Sequence, residues 1–181
     1  MKKFTFMQKI RNKIRIKGSL DLDIAIDVKI ANCTIRSKGK NNKLVIEEGT
    51  VLRYTQLEII GDNSTLLIGK NCIVGHGSYL SAKEGKTLNI KDSCSLSRNV
   101  KIMTSDGHPI YQDNKIINTG MDITLENTVW VADNVTILKG TNIGANTVLG
   151  INATVSKSIP ANSIAVGNPA KVVKENISWA H

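Results

Sequence analysis

The feature that most limits the fold of this chain is a hydrophobic period of six residues in its C-terminal part. Aliphatic residues follow one another at this step at Val131, Ile137, Ile143, Leu149 and Val155. The step matches neither the period of an α-helix, about 3.6 residues, nor that of a β-strand, about 2 residues. It is typical of a short strand followed by a corner, where Gly and Asn supply permissive backbone. The sequence therefore predicts an all-β fold.

A second period, of 22 residues, extends this pattern into the N-terminal half. It relates two columns of residues, the first formed by Ile24, Ile46, Ile68 and Ile90 and the second by Thr50, Cys72 and Cys94. Three six-residue sides make a triangular coil of about 18 residues, so the surplus in each early coil indicates an expanded corner. Stacked coils of this kind form a parallel β-helix of hexapeptide repeats, and the Thr and Cys column should lie inside it.

The repeat is interrupted once, at the active-site loop that we place at about residues 103–123. The segment MTSDGHPIYQDNKIINTGMD has no six-residue phase, and the steps resume at Leu125. Long loops in a compact repeat scaffold are usually functional or disordered. Around it we expect a basic N-terminal segment, 1–18, that can form a short helix, a β-helix over 19–160, and a tail, 161–181, with a short helix.

The charge of the chain, +9, favours anionic partners. Residues 2–17 hold seven Lys and Arg and no acid, which suits an anionic membrane surface. No apolar run approaches the roughly 20 residues of a membrane span, and the start lacks the apolar core of a secretory signal. We therefore expect a cytoplasmic protein, peripheral to the membrane at most, with Cys33, Cys72 and Cys94 as reduced, buried thiols. Aromatics are few and no nucleic-acid-binding motif is present, so nucleic acid is not an expected partner.

His108 lies in the interrupting loop, within SDGHPI. An imidazole can accept a proton from an alcohol or amine near neutral pH. Asp106 is close enough in sequence to orient the ring, although a backbone carbonyl could do the same. A loop histidine taken alone is most often an ordinary surface residue, but this one lies on the only long excursion of a repeat scaffold. We therefore predict that His108 is a general base.

A family resemblance agrees with this prediction. SDGHPI and the later segment VWVADNVTILKGTNIGANTVLGINATVSKSIPANSIAVGNPAKVV resemble the hexapeptide-repeat acyltransferases, in particular the galactoside and maltose acetyltransferases and the capsule and sialic-acid O-acetyltransferases. The likeness spans residues 102–173, whereas the earlier coils match only in their repeat. It implies a left-handed β-helix, a homotrimer with active sites between subunits, and transfer from acetyl-CoA to a hydroxyl of a sugar, a surface polysaccharide or its precursor, without a metal.

The resemblance also implies roles for individual residues. His108 would deprotonate the acceptor within a ternary complex, so no acyl-enzyme is required. The backbone N–H of Asp133 would stabilise the oxyanion, and Trp130 would flank the thioester and the pantetheine arm. The family usually has Gly where this chain has Ala132, and the Asp133 carboxylate lies near the reacting centre, where it could orient the acceptor.

Contacts to the donor and the acceptor are predicted less directly. By their register with the family motif, the donor contacts fall on Gly150, Ile151, Ser156, Lys157, Lys171 and Lys174. Residues that could line the acceptor pocket are His76, Tyr79, Arg98 and Tyr111. Arg98 with Lys101 would suit a carboxylated sugar, although a surface role is at least as plausible for each.

Three other functions are alternatives to this interpretation of the sequence. An N-acetyltransferase of an amino sugar or antibiotic could use this scaffold, because function lies in the site rather than the fold. A γ-carbonic-anhydrase-like enzyme needs three converging imidazoles, but the only histidines, His76, His108 and His181, have no short ligand spacing. A non-catalytic binding module would use the basic N-terminus.

Overall fold

The computed structural model of the protein describes residues 4–180; Lys2, Lys3 and His181, on which parts of the predictions fall, lie outside the described residues. The chain is a left-handed parallel β-helix of about 6 turns, so the predicted fold class is confirmed. None of the helices within residues 4–180 is both long enough and apolar enough to cross a membrane.

The elements follow one another in the order α1 (Phe6–Arg11), β1 (Lys13–Ile24), β2 (Lys29–Ala31), β3 (Thr34–Ile46), β4 (Val51–Arg53), β5 (Gln56–Ile60), β6 (Thr65–Ile68), β7 (Ile73–Val74), β8 (Tyr79–Lys83), β9 (Thr87–Ile90), β10 (Ser95–Leu96), β11 (Lys101–Met103), β12 (Tyr111–Gln112), β13 (Lys115–Ile116), β14 (Ile123–Leu125), β15 (Trp130–Val131), β16 (Thr136–Leu138), β17 (Asn142–Ile143), β18 (Val148–Leu149), β19 (Thr154–Val155), β20 (Ser163–Val166) and β21 (Lys171–Glu175).

The strands form the three faces of a triangular prism. The first face has the order β2-β4-β7-β10-β15-β18-β20-β21, and only its last pair is antiparallel. The second face contains β5, β8, β11, β16 and β19, and the third contains β6, β9, β14 and β17. The long strands β1 and β3 bend round the corner between the second and third faces. At the bend a Cβ on Gly39 would lie 2.1 Å from the Gly61 carbonyl oxygen, so only glycine fits there.

Both sequence periods are confirmed by the strand register. Each early isoleucine of the 22-residue column pairs in register with the next, from Ile24 to Ile90. Thr50, Cys72 and Cys94 are buried one above the other, and the Cys72 N–H donates to Thr50 Oγ1 at 3.0 Å. The three cysteines are free thiols in the core, and burial raises the pKa of the Cys33 thiol. They are therefore packing residues.

The two ends of the prism differ from each other. At the N-terminal end α1 lies across β2, with Thr5 as its N-cap, and the rest of the basic segment is already strand β1. At the C-terminal end the predicted short helix is wrong: within the described residues the tail forms β21, which turns back antiparallel to β20. The β-branched pair Val172 and Val173 favours strand, and the exposed edge of β20 provides a partner for it.

Candidate active site

The predicted loop leaves the prism at the corner between the second and third faces. It follows β11, carries the β12–β13 hairpin, and returns at β14. His108 lies just before the hairpin with its side chain exposed, and its carbonyl oxygen accepts a hydrogen bond from Asn118 Nδ2 at 2.9 Å. Within residues 4–180 the imidazole has no hydrogen bond or ion pair, so it can meet a molecule from outside the chain. We call this corner, residues 104–122 with Glu84 and Lys139, the loop corner.

Glu84, on the preceding coil, holds both ends of the loop. One carboxylate oxygen accepts a hydrogen bond from the Ser105 hydroxyl, and the other accepts the Gly120 N–H at 2.7 Å. The Ser105 hydrogen bond is the main reason why the pKa of Glu84 lies below its usual range. The sequence alone did not single out Glu84. Glu84 and Ser105 are nevertheless 21 residues apart, which is close to the length of one early coil, 22 residues.

Lys139, on the following coil, holds the loop from the other side. Its ammonium donates to Asp106 Oδ2 at 2.5 Å and to the Asn118 carbonyl oxygen at 2.7 Å. Asn118 Nδ2 also donates to Asp106 Oδ2, at 2.9 Å. Asp106 was predicted to orient the His108 ring, but in the single chain its carboxylate is bound to these two residues, which lower its pKa. Asp106 thus holds the loop and reaches the histidine only through it.

The remaining predicted catalytic residues lie at the corner between the first and second faces. His76, Arg98, Asp133 and Ile151 occupy this corner on successive coils, and we call it the groove corner. Together with Trp130 on the first face they line an open groove of about 620 Å³. The His76 ring packs against Tyr54, with 4.7 Å between ring centroids. The predicted catalytic Trp130 and Asp133 are therefore brought together by the fold.

The Asp133 side chain and its backbone N–H have different surroundings. The carboxylate accepts the Arg98 backbone N–H at 2.8 Å and pairs with the Arg98 guanidinium at 2.5 Å. This pairing holds the pKa of Asp133 below its usual range. Arg98, which with Lys101 was predicted to suit a carboxylated sugar, is thus also paired with Asp133 within the chain. The Asp133 N–H, in contrast, has no acceptor within residues 4–180, although its neighbours Ala132 and Asn134 both donate to adjacent coils.

His108 and Asp133 therefore occupy different corners of one prism. The imidazole projects from the loop corner, and the unpaired amide faces the groove corner. One chain alone does not bring the predicted base and the predicted oxyanion donor to a common point. No group of three or more His, Cys, Asp or Glu that could hold a metal ion occurs in the described part of the chain.

The predicted donor contacts lie at three places. Gly150 and Ile151 occupy the next coil of the groove corner, beside Asp133, and Ile151 lines the groove. Lys171 and Lys174 are exposed on β21, which extends the first face beyond Trp130. The third place is the segment after β19 on the second face, where the exposed residues Ser156 and Lys157 lie.

The predicted acceptor residues are also separated. His76 and Arg98 lie in the groove, whereas Tyr111 is exposed on the hairpin. Tyr79 lies on the second face, where its hydroxyl donates to Glu58 at 2.7 Å, so the fold does not bring it to the groove.

Trp179 in the tail is a further groove residue that sequence analysis missed. Its ring packs on Trp130 with 5.7 Å between centroids, and its Nε1–H donates to the Thr128 carbonyl oxygen at 2.9 Å. The tail therefore widens the aromatic wall beside the unpaired amide. No periodic signal marks this residue, because it lies beyond the last coil.

Two curated relatives and one solved structure resemble this chain over most of its length. A polysialic acid O-acetyltransferase of Escherichia coli O1:K1 / APEC is 35% identical over 119 residues, which cover 65% of this chain and 38% of that protein. One of Neisseria meningitidis is 31% identical over an alignment 188 positions long, gaps included, which covers 78% of this chain and 87% of that protein. The crystal structure of the polySia-specific acetyltransferase NeuO superimposes with a TM-score of 0.73 at 29% identity, covering 96% of this chain and 90% of that one. No family model matches the chain.

The chain belongs to the hexapeptide-repeat acyltransferases. The predicted family is thereby confirmed. Because the chain spans less than half of the Escherichia coli relative's length, the likeness alone assigns neither that relative's activity nor its substrate to this chain.

Proposed function

We propose that this protein is an acetyl-CoA-dependent O-acetyltransferase acting on a sugar or surface polysaccharide. The observation that carries the proposal is the unpaired Asp133 amide, which lies beside Trp130 in an open groove. A fixed N–H donor without a partner in the free chain is what an oxyanion site requires. The polysialic acid O-acetyltransferases that resemble the chain support a polysaccharide acceptor.

The proposed reaction uses one group from each corner. The acceptor O–H gives its proton to the His108 imidazole while its oxygen attacks the thioester carbonyl carbon. The Asp133 N–H then stabilises the negative charge on the former carbonyl oxygen. When the tetrahedral intermediate collapses, the C–S bond breaks and the thiolate takes the proton back from the imidazolium. The products are the acetyl ester and free CoA.

The first face offers a path for the donor. Trp130, Val148, Ile164 and Lys174 follow one another in register along it. Adjacent strands are about 4.8 Å apart, so Lys174 lies about 14 Å from Trp130, a distance that an extended pantetheine arm can span. With the thioester at Trp130, the diphosphate would then lie near Lys171 and Lys174, where a cation favours it.

A homotrimer is part of this proposal, because a second copy can bring His108 to the groove corner. The hairpin of the loop carries exposed apolar side chains at Ile110, Tyr111, Ile116, Ile117 and Met121, and the groove carries its own at Ile73 and Ile151. Two apolar surfaces of this kind are stabilised when they cover each other. Closed cyclic symmetry would place each hairpin against the next subunit's groove.

Mixed trimers test the shared site. We expect His108→Ala and Trp130→Ala each to abolish acetyl-CoA-dependent release of free thiol with a polysaccharide acceptor, by about 10²- to 10⁴-fold for the base. Mixed trimers of the two variants should regain part of the wild-type rate, because some interfaces then hold both intact residues. Lys115→Ala, on the same hairpin, is the matched control and should keep full activity. Full activity of His108→Ala would exclude it as the base, and absence of recovery in mixed trimers would exclude a shared site.

The proposed location of the protein is the cytoplasm, next to the inner face of the membrane. Acetyl-CoA is a cytoplasmic metabolite, which supports a cytoplasmic enzyme. The basic segment, 2–17, supports contact with the inner, anionic face of the membrane, where precursors of surface polysaccharides are assembled.

A further inference from the structure

The N-terminal end of the prism is closed by α1. Phe4 is buried beneath it, and Gln8 Nε2 donates to the Val28 carbonyl oxygen at 3.1 Å. Asn12 Nδ2 donates to the Ile30 carbonyl oxygen at 3.1 Å, while its Oδ1 accepts the Cys33 N–H at 2.8 Å. The helix is therefore fixed to the first coil by buried polar contacts, and its opposite side is presented to the surroundings.

That opposite side is apolar. The large side chains with the greatest exposure at this end are Phe6 at 75%, Ile26 at 80%, Ile10 at 64% and Met7 at 51%. Three of them lie on one short helix, and the fourth lies on the adjacent corner of the first coil. Neither the catalytic corners nor the donor path use this surface. Exposed apolar side chains that cluster in this way usually mark an interaction surface.

Cations surround the apolar side chains. Met7 and Ile26 line one groove of about 370 Å³ with Arg11, Lys29 and Arg53. None of these three cations, nor Lys9, forms an ion pair with another residue in the described range, 4–180. Asp27, the acid nearest in sequence to Lys29, accepts the Gly49 N–H at 2.8 Å. The surface therefore combines apolar side chains with cations that form no ion pair within residues 4–180.

We propose that this end of the prism, defined by Phe6, Met7, Ile10 and Ile26 with the surrounding cations Lys9, Arg11, Lys29 and Arg53, binds the surface of an anionic lipid bilayer. The apolar side chains enter the boundary between headgroups and acyl chains, and the cations contact lipid phosphates, as amphipathic interfacial helices do. These residues would form the membrane contact proposed above. That contact does not depend on the acetyl-transfer reaction. Trp130 lies four strand spacings further along the first face, about 19 Å from this end, so the groove would stay clear of the bilayer.

Flotation of the full-length protein with vesicles tests this surface. We expect binding to vesicles that contain phosphatidylglycerol, weak binding to pure phosphatidylcholine, and release at high salt. The double variant Lys9→Gln/Arg11→Gln should bind about 25-fold more weakly, since each cation contributes about five-fold. The pair Lys40→Gln/Lys43→Gln removes the same charge from exposed positions on β3 and should bind like the wild type.

The apolar part is tested by Phe6→Ser/Ile10→Ser. Loss of binding on the order of ten-fold, with unchanged thermal unfolding and unchanged CoA release from a soluble acceptor, would support the proposal. Equal binding of the wild type to neutral and anionic vesicles would overturn it. An equal loss of vesicle binding in Lys40→Gln/Lys43→Gln and in Lys9→Gln/Arg11→Gln would also overturn it. Self-association through this end without vesicle binding would do the same. Because flotation needs no substrate, its failure is distinct from a failure of the transferase proposal.

Discussion

The loop corner and the groove corner are held by different forces. At the loop corner the segment that carries His108 is tied to the coils on either side by Glu84 and Lys139, through charged side chains. At the groove corner each coil is held to the next by backbone hydrogen bonds, such as those from Asn134 to Arg98 and from Asn152 to Asp133. Backbone ladders belong to the β-helix itself, whereas side-chain contacts depend on a few residues.

The two proposed catalytic groups therefore differ in how firmly the fold holds them. The proposed oxyanion donor is part of the repeat and keeps its position as long as the prism is folded. The proposed base depends on an exposed network that can be weakened without unfolding the prism. Changes at the loop corner should therefore reduce kcat while stability is retained, and changes to side chains at the groove corner should leave the oxyanion donor in place.

Among the variants that test how each corner is held, the largest effect should come from Glu84→Ala, because this change removes both carboxylate contacts that hold the ends of the loop. Displacement of a catalytic group by about 1 Å can cost about 100-fold, so we expect kcat to fall on the order of 30-fold. The KM for acetyl-CoA and the unfolding temperature should not change. Glu84→Gln keeps one acceptor oxygen and should lose less. A rise in KM with unchanged kcat would contradict a positioning role.

Lys139→Met should have a smaller effect of the same kind. It removes the ammonium that binds Asp106 and the Asn118 carbonyl, and leaves the contacts of Glu84 intact. We expect kcat to fall about ten-fold, since one charge-assisted anchor is lost. Lys115→Met, which removes an exposed charge on the hairpin, is the control for net charge. If both variants lost the same activity, Lys139 would have no specific role.

The two corners could be predicted from the sequence to different extents. The column from Ile24 to Ile90 and the interruption after Met103 follow from a period that every coil must obey, so the prism and the loop could be placed from the sequence. Glu84, Asn118 and Lys139 could not, because their contacts depend on how an aperiodic loop folds back on neighbouring coils. The tail helix was predicted wrongly because the free edge of β20 is visible only in the fold.

Acid should release the loop corner before the groove corner. The pKa values of Glu84 and Asp106 are both lowered, so their contacts are complete above the pKa values in the unfolded chain, about 4.3 for Glu and about 3.9 for Asp. They are lost as pH falls through the lower values in the folded chain. Hydrogen exchange, corrected for intrinsic rates, should show the Gly120 amide losing protection as pH falls through the lowered pKa of Glu84. The Ala132 amide, bound to the Leu149 carbonyl, should stay protected. Simultaneous loss at both amides would mean global unfolding and would contradict the comparison.

The smallest effect should come from Asp133→Asn, at the residue proposed to stabilise the oxyanion. The change keeps the backbone N–H and one side-chain acceptor for the Arg98 N–H, and it weakens only an exposed ion pair, which contributes little in water. We expect kcat within about two-fold of wild type in the thiol-release assay, because electrostatic stabilisation by a fixed backbone donor is retained. Arg98→Gln removes the other member of the ion pair. If the pair only holds the corner together, this variant should also keep kcat within about two-fold of wild type. A loss of kcat in Asp133→Asn alone would assign the carboxylate itself to the reaction, and the groove corner would then depend on a side chain, as the loop corner does.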